Sequence, residues 1–237
     1  MFSFNLDTSE ILIYDEIGPG WWGLIDGASV IGSLAQMRDK HVTVRLNTPG
    51  GSVDEGIAIY NAMKSHPGGV TTIVDSLAAS MGSYLLQAGT TRLVAPNSMT
   101  MIHDPWSISL GNASQLRKDA DVLDKYAQRM IPDYAARSGK TVDEIKTIML
   151  NESWYVGQEA VDAGFADGLA TMDGAAIEPV VAGLRHIARN VPASLIQNRE
   201  IKAGDRTPFP KREAAKFSNL RMTIAEARSM IARIPSN

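Results

Sequence analysis

A serine among small residues, where an apolar strand gives way to a helix, is placed to act as a nucleophile. The stretch Asp75-Ser76-Leu77-Ala78-Ala79-Ser80-Met81-Gly82-Ser83 puts Ser80 there. Val70 to Val74 reads as a β-branched strand, and Ser80 to Ala88, stopped by Gly89, reads as a short helix. Unpaired amides in the first turn of that helix can stabilise an anion forming on a bound carbonyl oxygen. Serine is also a common helix cap, so the nonamer needs a partner base. Four histidines are candidates. His41 precedes a strand, His66 sits in the turn His66-Pro67-Gly68-Gly69, and His186 lies in a weakly patterned C-terminal region. His103 follows the apolar strand Met99-Thr100-Met101-Ile102, so it emerges at a strand's carboxyl end, where open α/β sheets place functional groups. A third element, Asn47-Thr48-Pro49-Gly50-Gly51-Ser52, joins the strand Val42 to Leu46 to the helix Val53 to Lys64. Its tight turn exposes amides, and Gly51 is the natural second oxyanion donor opposite the N–H of Met81.

These motifs, with Pro96-Asn97-Ser98 and Met101-Ile102-His103-Asp104-Pro105 in the same order and at similar spacing, resemble the proteolytic subunit of Clp proteases. The resemblance runs from about Ile11 to Leu169 and includes a closing segment from Trp154 to Asp167. It implies a serine peptidase of ClpP/crotonase-like α/β fold, with a mainly parallel sheet, a long handle helix and a C-terminal extension. Carried over residue by residue, it implies Ser80 as nucleophile, His103 as base, and Gly51 and Met81 as oxyanion-hole amides. The position matching the family's aspartate, two residues before Trp154, is Glu152. A glutamate can orient a histidine and stabilise its imidazolium, though its extra methylene changes the reach. Asp104 and Asp75 are the other carboxylates that could take that part. The handle helix further implies assembly into a homo-oligomeric ring.

Composition fits a soluble enzyme. The 237 residues, 44% hydrophobic, suffice for one good core plus appendages. The absence of cysteine excludes disulfides, thiolate catalysis and thiolate metal sites together. The dispersed histidines and the lack of a carboxylate cluster at ligand spacing argue against a metal, and no cofactor is expected. No apolar run reaches the roughly 20 residues that span a bilayer. No signal peptide is evident at the N-terminus, so a cytoplasmic location is expected. Charge is uneven: residues 1 to 170 carry a net −8 and residues 198 to 237 a net +5. A solvated extension explains the basic tail better than nucleic-acid binding does.

The elements that must position these residues alternate. An opening strand is expected at Glu10 to Glu16 and a helix near Ala28 to Arg38, followed by the two strand-helix units above. Strands at Thr91 to Ala95 and Met99 to Ile102 then precede a long helix, Ala113 to Arg137. That order argues for a largely parallel sheet. The long helix is capped by Asn112, carries Leu116, Ala120, Leu123, Ala127 and Ile131 at helical spacing, and should kink at Pro132. Thr141-Val142-Asp143-Glu144 is a capping-box signature for another helix.

Two other chemistries match parts of the sequence. Gly18-Pro19-Gly20-Trp21-Trp22-Gly23 satisfies a dinucleotide-binding glycine pattern. Pro19 removes a backbone donor, the tryptophans crowd a pyrophosphate, and the next strand ends at Asn47 without an acid for the ribose. A crotonase-like acyl-thioester enzyme shares the architecture but has no use for a Ser80 and His103 pair. The chain is expected to divide into a peptidase domain, 1–170, and an extension, 171–237, with a linker at Thr207-Pro208-Phe209-Pro210 and a final helix from Thr223. A short N-terminus with an added C-terminal segment resembles the Clp-related head-maturation proteases of phages and prophages. That resemblance implies a capsid or scaffold protein as substrate inside a prohead, and puts partnership with an unfoldase ATPase in doubt.

Overall fold

The computed structural model describes residues 1–18 and 25–171. The final helix, the linker, His186 and most of the glycine fingerprint therefore lie outside the described residues. Within them, a hairpin of β1 (Phe2–Asn5) and β2 (Glu10–Ile13) leads to α1 (Gly27–Gln36), β3 (Val42–Thr48) and α2 (Val53–Lys64). β4 (Val70–Ala79), α3 (Met81–Leu86), β5 (Thr91–Val94) and β6 (Met99–Ile102) follow. The chain continues through α4 (Ala113–Ser138), α5 (Val142–Leu150), β7 (Ser153–Val156), α6 (Gln158–Asp162) and β8 (Gly168–Leu169).

The sheet runs β1-β2-β3-β4-β5-β8 and is parallel from β2 onward. Alternating strand and helix with crossovers produces that arrangement. β4 has ten residues and changes neighbours along its length. Thr71 to Val74 pair with β5, whereas Leu77 to Ala79 pair with β6. β6 is in turn paired antiparallel to β7, so the last third of β4, still held to β3 through Ala78 and Thr48, exchanges β5 for a spur made of β6 and β7.

Branched apolar side chains on the strands (Val42, Val44, Leu46, Val70, Val74) bury against α1 and α2 through Val30, Leu34, Ile57 and Ile59. A smaller cluster of Leu77, Ala79, Met99 and Met101, flanked by Trp154, fills the spur. Helix ends follow local chemistry. Asp26, Ser52, Asn112 and Thr141 accept from the amide three residues on, and Thr141 with Glu144 forms the complete capping box.

Two expectations change, while the long helix falls where it was expected to within one residue. The strand read as ending at Val74 continues to Ala79, because Asp75 is neutralised in place: the Arg45 guanidinium grips both its oxygens and the Tyr14 hydroxyl bonds one. Burial, then Asp75, push the Tyr14 hydroxyl up to about 12. The opening strand is preceded by β1, whose Phe2 and Phe4 are too few to show a period. The long helix runs through Pro132 to Ser138 and ends at Gly139 in the left-handed conformation. Its apolar stripe is buried only at the C-terminal end, at Met130, Ile131 and Tyr134, while Leu116 and Ala120 are exposed.

Candidate active site

Ser80 sits where β4 meets α3, and its backbone is unusual for a residue with a side chain: φ 55°, ψ −121°. That left-handed turn is over-determined by its bonds. The Ser80 amide donates to Met101 O at 2.9 Å, extending the pairing of β4 with β6. Its carbonyl accepts from the amides of Ser83 (3.0 Å) and Tyr84 (3.2 Å), starting α3. The sharp turn lifts the side chain off the strand line, as in other strained strand-to-helix turns that present a serine.

The spur delivers the base. β6 lies parallel to β4, and His103 follows its last residue, so both strands end at the same edge. His103 Nε2 stands 2.8 Å from Ser80 Oγ, a hydrogen-bond distance. His103 is buried, and Ser80 is half-buried.

β7 runs the other way, so its beginning faces that same edge. Met101 pairs with Trp154 and Ile102 with Ser153; one step further in this register sets Glu152 opposite His103. Glu152 is buried and carries φ 48°, the conformation of a sharp turn between α5 and β7. Its amide donates to Met149 O at 3.1 Å, and the Asp104 amide donates to the same carbonyl at 3.2 Å. The end of α5 thus ties the segment after His103 to the segment before β7. The Trp154 indole lies 3.5 Å from Glu152 Oε1.

The other carboxylates are placed differently. Asp75 is committed to Arg45 and Tyr14, as described above. Asp104 is half-buried, and its pKa is raised by burial and then by the charge of Asp124. His41 and His66 hold loops together: His41 Nδ1 lies 3.1 Å from Gly68 O, and His66 Nε2 lies 2.9 Å from Lys40 O.

The glycine turn after β3 packs directly on the serine. A Cβ on Gly50 would meet Met81 N and Ser80 Cβ at 2.8 Å, so only glycine permits the approach, and its φ of 98° needs glycine as well. The Gly50 carbonyl accepts from the Ile17 amide at 2.7 Å. Because a trans peptide points its N–H opposite its C=O, the Gly51 amide is turned away from Ile17. Met81 opens α3, so its amide has no acceptor within that helix. Sequence reasoning named Gly51 but overlooked Gly50; the doubled glycine was the available signal.

Hydroxyl, imidazole, buried carboxylate and two directed amides can activate a nucleophile, orient its base and hold an oxyanion. Comparison with known proteins agrees with that chemistry. Residues 23–173 match the family described as Clp protease. An ATP-dependent Clp protease proteolytic subunit 1 from Leifsonia xyli is 35% identical over 135 residues, 56% of this chain and 68% of that protein. A subunit 2 from Thermobifida fusca is 36% identical over 148 residues, covering 60% and 73% respectively. A proteolytic subunit from Oltmannsiellopsis viridis is 34% identical over 139 residues, covering 58% and 71%.

Proposed function

This chain belongs to the Clp protease family of serine-type peptidases, and we propose that it cleaves peptide bonds with Ser80 as nucleophile, His103 as general base and Glu152 as the orienting acid. The observation that carries this reading is the 2.8 Å contact between Ser80 Oγ and His103 Nε2 at the mouth of a left-handed turn. Ser80 Oγ attacks the scissile carbonyl carbon as its proton passes to His103 Nε2. The electron pair of the carbonyl moves to oxygen, where the amides of Gly51 and Met81 receive it. Collapse of the adduct expels the amine, which takes the proton from His103 and leaves an acyl group on Ser80. Water, deprotonated by the same imidazole, then releases the acid and restores the hydroxyl. Glu152 accepts from the other ring nitrogen and stabilises the imidazolium in both halves.

Ser80→Ala and His103→Ala should each lower peptide hydrolysis by a factor of about 10⁴ or more, and the double variant should be little worse than either. Retained hydrolysis in a folded Ser80→Ala protein would overturn the assignment.

The named relatives are ATP-dependent proteolytic subunits, and we read this chain as working in the same manner, as a homo-oligomeric ring supplied by an unfoldase ATPase. The exposed Trp106, Ile108 and Leu110 ahead of α4, with Leu116 on its first turns, supply apolar surface for neighbours along the handle. Processing of a capsid or scaffold protein by a phage-type enzyme is the second reading, favoured by the basic stretch beyond the family match. Cleavage of a scaffold protein without nucleotide would select the second reading, and ATP-dependent degradation with an unfoldase would select the first. Among the described residues no helix is long and apolar enough to cross a membrane.

A further inference from the structure

Behind Ser80 a chain of hydroxyls reaches from the long helix to the catalytic turn. Besides two amides, the Ser80 carbonyl accepts a third bond, from Ser83 Oγ at 2.7 Å. Ser83 Oγ also lies 2.7 Å from the hydroxyl of Tyr134 on α4. A serine hydroxyl has one proton, and here it is committed to the carbonyl, which can only accept. Tyr134 must therefore donate to Ser83. The order is Tyr134 O–H to Ser83 O–H to Ser80 C=O, and both side chains are buried. Burial, the largest influence on Tyr134, raises its pKa and keeps the phenol protonated as a donor. Its ring is clamped edge-on by Tyr84 at 5.7 Å and Phe165 at 6.2 Å, so the hydroxyl has little freedom to wander.

The carbonyl at the end of this chain belongs to the Ser80–Met81 peptide unit, which is trans and planar. Fixing its oxygen toward α4 fixes the Met81 N–H in the opposite sense, away from the helix interior. Hydrogen bonds to a carbonyl also draw electron density from the amide nitrogen, and linked hydroxyls reinforce one another. We propose that Tyr134 is a positioning residue, acting through Ser83 to aim and polarise the Met81 amide toward the oxyanion. The inference rests on the reading of Ser80 as nucleophile and Met81 as oxyanion donor, and adds a residue 51 positions along the chain from Ser83. Gly51 gains a similar anchor through the Gly50 carbonyl, which accepts from the Ile17 amide.

The test compares full-length Tyr134→Phe, Ser83→Ala and the double variant with the parent. It measures kcat and KM on a fluorogenic peptide and the affinity of the matching peptide aldehyde, whose adduct with Ser80 places an oxygen in the oxyanion position. Tyr134→Phe should lower kcat about tenfold, less than the 10² to 10³ that loss of a donor outright costs. KM should stay within about twofold and aldehyde affinity should fall by the same factor as kcat. The double variant should match Ser83→Ala alone, because both act through one carbonyl. Unchanged kcat and aldehyde affinity with a lowered melting point would mean that Tyr134 only packs, and would overturn the proposal. If Tyr134→Phe does not fold, Ser83→Ala decides by the same two readouts. Ser80→Ala, measured alongside, separates the layers: activity surviving in it would remove the nucleophile reading and this inference together, whereas its loss with unaffected relay variants removes the relay alone.

Discussion

Ser80 and Glu152 share a positive φ that neither side chain favours, 55° and 48°. Left-handed residues with a Cβ cost on the order of 1–3 kcal/mol each. Of the three such residues among those described, two are candidates for the catalytic group, so the strain sits where side chains must leave the strand line. Ser80→Gly and Ser80→Ala should both be inactive, yet the glycine variant should melt higher, since glycine adopts this backbone without penalty. Equal melting points would show that the turn stores no strain. For the acid, Glu152→Gln should lower kcat by about 10² to 10⁴, because an amide keeps the shape but loses the charge that supports the imidazolium. Asp104→Asn should leave kcat nearly unchanged; the reverse pattern in steady-state kinetics would transfer the role to Asp104. At this scale the candidate positions were legible in the sequence. Ser80 and Gly51 stand beside small residues, and His103 stands two positions before Pro105, the composition of sharp turns. Tyr134 was not, because a tyrosine at a helical spacing reads as core until its hydroxyl is seen to have a partner.

The elements bring three side chains to one edge through a single irregularity, the departure of β4 from β5 to β6. Alternating strand and helix patterns made the parallel sheet and its helices readable, and α2 and β6 fall on the expected residues. The spur was harder to read. Its pairing depends on Asp75 being neutralised by Arg45, and that contact spans 30 residues. β8 is anchored to the sheet by another long-range pair. The Arg92 amide and guanidinium donate to Asp167, at 2.8 Å from the amide, while the Asp167 amide donates to Arg92 O at 2.7 Å. Burial would raise the pKa of Asp167, but the bonds from Arg92 outweigh it and hold it below the usual carboxylate value. A carboxylate whose pKa is depressed on folding adds stability above its unfolded pKa, and that contribution is lost as pH falls through the folded value. Asp167→Asn should therefore melt below the parent at neutral pH and converge with it in acid, below about pH 4, the unfolded value of an aspartate. A gap that persists or widens in acid, read from thermal melts across pH, would contradict this.

At the scale of the whole molecule, the candidate site residues lie within 50–152, and the family match ends at residue 173. We therefore expect the sequence beyond it to serve delivery or assembly rather than bond cleavage. Removing residues 198–237 should leave turnover of small peptides within about twofold and the melting point within a few degrees, where each kcal/mol lost would shift it by about 2–4 °C. A large drop in both would extend the peptidase domain to the C-terminus. Charge asymmetry is the sequence signal for that division, and the use of the basic tail depends on a partner. The account stands or falls on one reacting atom. Labelling the full-length protein with a fluorophosphonate and mapping the modified peptide reads that atom without knowledge of the natural substrate, because only an activated serine reacts readily. The expected result is a single adduct on Ser80, abolished in His103→Ala. An adduct confined to another serine, or full labelling of Ser80 without His103, would contradict it.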